Sequence, residues 1–132
     1  MTDTTGRLGG RRILVVEDEC ILGQYFCDLL RGEGCIVSGP VSTVADALQA
    51  LGRQPFDAAI LDLSLRDAWS LEIAERLVRQ GTPFVIVSGY REALTREPVL
   101  CDAPFLEKPF TAGALISALA GAVASCRAPV AA

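Results

Sequence analysis

The chain has 132 residues, 51% of them apolar and 21% charged, with a net charge of -4 and no histidine. That is the composition of one soluble folded domain, too short for a second, and its acidic balance excludes the basic face that nucleic acid requires. The missing histidine removes every His-based triad and His-ligated metal site, and five cysteines without a Cys-x-x-Cys spacing suggest neither a disulfide framework nor a zinc site.

Arg12 to Val16 ends in the run Ile13-Leu14-Val15-Val16 and reads as a buried parallel strand leading straight into Glu17-Asp18-Glu19. Over Cys20 to Arg31 the apolar residues recur at helical spacing, and Gly32 and Gly34 are stop signals. Cys35 to Val37 reads as a short second strand, Gly39-Pro40 as a turn, and Ser42 to Leu51 as a helix capped by Ser42 or Thr43. The third strand, Ala58 to Leu61, ends at Asp62, and Trp69 to Arg79 is helical up to Gly81. Phe84 to Val87 is a fourth strand ending at Ser88-Gly89, and Phe105-Leu106 a brief fifth before Glu107-Lys108-Pro109. Thr111 to Ser125 is an alanine-rich closing helix. Residues 1–11 are expected to be a flexible lead, 12–126 the domain, and 127–132 a frayed tail.

Strands alternating with helices predict an α/β doubly wound (βα)5 fold, a five-stranded parallel sheet with helices on both faces. Such folds bind ligands at the carboxyl ends of their strands. Asp18, Asp62, Ser88 and Lys108 follow the first, third, fourth and fifth strands, so residues distant in sequence are expected in one pocket. Carboxylates beside a lysine suit Mg²⁺, which takes oxygen ligands and keeps several waters. An aspartate can itself attack phosphorus, while a lysine and a hydroxyl bind phosphoryl oxygens. Taken singly, the acidic cluster would be a solvated loop, Asp62 a cap, Ser88 a strand end and Lys108 a surface lysine; their shared placement at strand ends favours a site.

Ile-Leu-Val-Val-Glu17-Asp18-Glu19, Ile-Leu-Asp62-Leu-Ser, Val-Ser88-Gly and Glu-Lys108-Pro109-Phe110 together resemble the four signature segments of the bacterial response-regulator receiver family. The resemblance implies a flavodoxin-like receiver fold and a phosphoacceptor role for Asp62. It further implies metal-ligating roles for Asp18 and Glu17, with Asp62 itself and the backbone carbonyl of Ser64 completing the protein ligands. Ser88 matches the switch hydroxyl, Lys108 the phosphoryl-binding lysine, Phe105 the switch aromatic, and Pro109 a residue usually preceded by a cis peptide. The implied cofactor is Mg²⁺ and the implied partner a histidine kinase or histidine phosphotransfer protein. Output would then pass through protein contacts in a two-component phosphorelay, in the cytoplasm, with neither nucleic acid nor membrane as partner and no turnover beyond the domain's own phosphorylation and dephosphorylation.

The chain departs from that pattern after Asp62, where many receivers carry Pro four and Gly eight residues on and this one has Arg66 and Ser70. Pro98 interrupts the segment between Ser88 and Lys108, so Gly89 to Ala103 is expected to be the mobile part of a switch. Thr82-Pro83-Phe84-Val85-Ile86-Val87-Ser88-Gly89-Tyr90 resembles a single-domain subgroup with a Pro-Phe-x-Phe-Ala-Thr-Gly-Tyr motif. A haloacid-dehalogenase-type phosphatase would need a second Asp where Ser64 stands, and a Rossmann nucleotide site would need glycines where Glu17-Asp18-Glu19 stands. The remaining rival is a receiver-like interaction module that works without phosphorylation.

Overall fold

The computed structural model describes residues 8–63, 65, 70–89 and 103–125. Its strands are β1 (Arg12–Val16), β2 (Ile36–Val41), β3 (Ala58–Asp62), β4 (Phe84–Ser88) and β5 (Phe105–Glu107). Its helices among the described residues are α1 (Cys20–Gly32), α2 (Val44–Arg53), α3 (Leu71–Gln80) and α4 (Ala112–Ser125). The strands form one parallel sheet in the order β2-β1-β3-β4-β5, the doubly wound, flavodoxin-like arrangement expected from the strand-helix alternation. None of the described helices is long and apolar enough to cross a membrane.

Alternation along the buried strands divides the core into two layers. Ile13, Val15, Ile60, Val85 and Val87 pack on one face with residues of α1 and α4 such as Phe26, Leu30, Leu115 and Leu119. Leu14, Val16, Leu61 and Ile86 pack on the other with residues of α2 and α3 such as Leu51, Ile73 and Leu77. Buried side chains on both faces explain why these strands read as continuous aliphatic runs. Thr43 is the residue that caps α2, its hydroxyl accepting from the Asp46 N–H at 3.1 Å. Thr111 does the same for α4 through the Ala114 N–H, also at 3.1 Å.

Three local features differ from the sequence reading. Leu8, placed there in a flexible lead, is fully buried in the α1 layer, and the Gly10 N–H donates to the Gly34 carbonyl at 2.8 Å. Helix α3 begins at Leu71 with Ser70 as its N-terminal boundary residue, while Trp69 lies outside the described residues. Strand β2 runs through Gly39-Pro40 rather than ending before it: Leu14 pairs with Ser38, but Val16 pairs with Val41, so two residues bulge opposite Val15. A proline is tolerated there because β2 is an edge strand.

The bulge depends on its glycine. Gly39 has φ +119, and a Cβ built on it would lie 2.5 Å from the Val15 carbonyl oxygen. Gly39→Ala is therefore expected to lower stability by about 1–3 kcal/mol, from backbone strain and crowding together. Gly32→Ala, with no atom within 4 Å of the new Cβ, is the control and should change it by less than about 0.5 kcal/mol. Urea denaturation reads both, and equal midpoints for the two variants would show that the bulge tolerates a side chain.

Candidate functional site

The carboxyl ends of the strands deliver the polar residues to one place. Asp62 and Ser88 are the last residues of β3 and β4, Glu17 and Asp18 follow β1, and Lys108 follows β5. Glu17, Asp62 and Ser88 are nearly inaccessible, at 2%, 4% and 2% exposure, although each is polar. Lys108 Nζ lies 3.4 Å from Glu17 Oε1 and 3.4 Å from Asp62 Oδ2, bridging β1 and β3 with one ammonium. The Lys108 backbone is held in turn by its N–H donating to the Ser88 carbonyl at 2.8 Å.

The β2 bulge supports this pocket from the side. The Glu17 N–H donates to the Val41 carbonyl at 2.9 Å, a bond that only the shifted register provides. The Pro40 ring lies against Gly23 of α1, and a Cβ on Gly23 would meet it at 2.7 Å and Glu17 Cβ at 3.5 Å. A small residue at this turn of α1 thus lets the bulge approach the base of Glu17.

Packing so much negative charge into a dry pocket shifts its titration. The Glu17 carboxyl is pushed up to about 7, first by burial and then by a hydrogen bond to Asp62 and the charge of Asp62, against the opposing pull of Lys108 and the Glu19 N–H. Burial alone would lower the Lys108 ammonium, but Asp62 and Glu17 outweigh it and hold it above the ordinary lysine value. The carboxylates of Glu17, Asp18 and Asp62 each place an oxygen within 4.8 Å of the other two. An all-oxygen donor set with no thiolate or imidazole fits a hard divalent cation such as Mg²⁺ rather than zinc.

Phe105 is half-buried and packs against the layer that contains Leu61 and Ile86. Ser64, expected to offer a carbonyl to the metal, lies outside the described residues, as do residues 90–102 of the expected switch segment. The Lys108–Pro109 peptide is cis, as the resemblance implied. One residue of the site was visible in the sequence only as a departure: Ser70 is fully buried, and its hydroxyl donates to the backbone carbonyl of Asp62.

The family model for the response regulator receiver domain matches residues 13–120. The chain belongs to the response-regulator receiver family. Among its curated relatives, this receiver is 35% identical over 122 residues to the transcriptional regulatory protein TcrA of Mycobacterium tuberculosis, covering 86% of this chain and 46% of that one. It therefore spans about half the length of that relative. The structure of a CheY-like receiver domain from Methylobacillus flagellatus superposes with a TM-score of 0.69 at 29% identity, covering 81% of this receiver and 93% of that chain. The receiver domain of a Pseudomonas aeruginosa sensor histidine kinase, solved with a magnesium ion coordinated in its active-site cleft, shares the fold with a TM-score of 0.75 at 23% identity, covering 88% and 99%.

The titration of Glu17 makes a prediction for the metal-free receiver. A carboxyl with a folded value near 7 binds its proton more tightly than in the unfolded chain, so it removes stability as pH rises from about 4.5 to 7. Lys108, raised above its ordinary value, stays charged across that window and contributes nothing to the slope. Urea unfolding in EDTA should show wild type losing about 2 kcal/mol more than Glu17→Gln between pH 5 and pH 8. Parallel pH profiles would show that the pocket does not hold Glu17 protonated.

Proposed function

We propose that the chain accepts a phosphoryl group on Asp62 from the phosphohistidine of a histidine kinase or histidine phosphotransfer protein, as a response-regulator receiver. The observation that carries this reading is the buried Asp62 carboxylate with Lys108 Nζ at 3.4 Å, placed at the carboxyl end of the sheet beside two further acids. An Asp62 carboxylate oxygen attacks phosphorus, the new O–P bond forms as the P–N bond breaks, and the electron pair leaves with the imidazole, which takes up a proton. Lys108 binds phosphoryl oxygens with the ammonium that it now shares between Asp62 and Glu17. Ser88, at the end of the neighbouring strand, offers its hydroxyl to the same group.

Glu17, Asp18 and Asp62, with the Ser64 carbonyl, would hold Mg²⁺, which neutralises the carboxylates against the arriving anion. The oxygen-only donor set supports this choice, and a receiver of the same fold carries magnesium in its cleft. The change of bonding at Ser88 and Phe105 would pass to a protein partner through the surface around residues 89–103. The same reading puts the chain in the cytoplasm, as a switch that turns over only its own phosphoryl group.

Incubation with Mg²⁺ and phosphoramidate tests the reading by intact mass. Wild type should gain one phosphoryl group, stable in acid and labile in alkali. Asp62→Asn should gain none, and Asp18→Asn should react about a hundredfold more slowly. A wild-type chain that stays unlabelled while fully folded would favour an interaction module independent of phosphorylation.

A further inference from the structure

A serine directly before a helix ordinarily turns its hydroxyl onto the helix's first free N–H groups. Ser70 precedes α3 and makes no such cap. Its hydroxyl is fully buried and donates instead to the backbone carbonyl of Asp62, eight residues earlier, and its N–H donates to the Leu63 carbonyl at 3.0 Å. The peptide unit joining Asp62 to Leu63 is therefore held at both polar atoms, since the Leu63 N–H donates to the Val87 carbonyl at 3.2 Å. The C=O and N–H of a trans peptide point in opposite directions, so Ser70 and β4 clamp this unit from two sides. Clamping it fixes the ψ angle of Asp62 and with it the direction in which the carboxylate leaves the backbone.

We infer that Ser70 is a positioning residue for the Asp62 nucleophile, a role that rests on the phosphoacceptor reading above. In-line attack on phosphorus requires a carboxylate oxygen aligned to within a fraction of an ångström. The Ser70 hydroxyl supplies a tie from the start of α3 back to the end of β3. Ser70 bonds neither Glu17 nor Lys108, so its contribution reaches the site through Asp62 alone.

The test uses the full chain with phosphoramidate as donor, comparing wild type with Ser70→Ala and Ser70→Gly. At saturating Mg²⁺, both variants should label Asp62 about fivefold more slowly per folded molecule, the loss of one well-placed hydrogen bond. The deficit should persist however high the Mg²⁺ concentration, because filling the cation site does not realign an Asp62 oxygen with phosphorus. A lower thermal midpoint with an unchanged rate per folded molecule would make Ser70 purely structural and overturn the inference. A deficit that vanishes at saturating Mg²⁺ would also overturn it, by assigning Ser70 to cation binding alone. Absence of label on wild type would instead overturn the acceptor reading beneath it.

Discussion

Two buried carboxylates, Glu17 and Asp62, share one ammonium group from Lys108, with a third acid, Asp18, at the rim. Removing such groups from water costs several kcal/mol per charge, and one lysine cannot offset the mutual repulsion of the acids. Burial and the neighbouring Asp62 push the Glu17 carboxyl up, which favours its protonated form. A divalent cation would relieve the repulsion more completely, and a phosphoryl group on Asp62 would then meet Lys108 rather than bare carboxylates. On the proposed reading, such a site would gain most when cation and phosphoryl group arrive together.

The rest of the structure exists to hold those charges in place. Parallel strands all present their carboxyl ends on one side, so residues as distant as Glu17 and Lys108 meet there. Apolar layers pack against both faces of β1, β3 and β4. The edge is finished by the Gly39-Pro40 bulge, which brings the Val41 carbonyl to the Glu17 N–H. Bulges are common beside functional sites, and here one holds the backbone N–H of the acid that faces Lys108.

Much of this was legible in the sequence, for physical reasons that differ by residue. The aliphatic runs at Ile13-Leu14-Val15-Val16 and Phe84-Val85-Ile86-Val87 permit little besides strands buried on both faces, and a charged residue directly after such a run must stand at a strand end. That logic located Asp62, Ser88 and Lys108 without any distance measurement. It failed where a local signal had two meanings. Gly39-Pro40 marks a turn in most chains, but beside a straight β1 it becomes a bulge within an edge strand. Ser70 falls within the span Trp69 to Arg79 that the spacing assigns to a helix, and only the fold shows its hydroxyl turned back to Asp62. Leu8 stands among polar residues that suggest a loose end, yet it fills space beside α1 that no pattern in its own segment announces.

The central claim is that this pocket makes Asp62, and no other carboxylate, a nucleophile toward phosphorus. Reduction of the phosphorylated chain with borohydride converts an acyl phosphate into an alcohol, and peptide mapping by mass spectrometry then reports which carboxylate carried it. The account predicts the modification at Asp62 alone, dependent on Mg²⁺. Modification at Glu17, Asp18 or a surface acid, with Asp62 left intact, would contradict it.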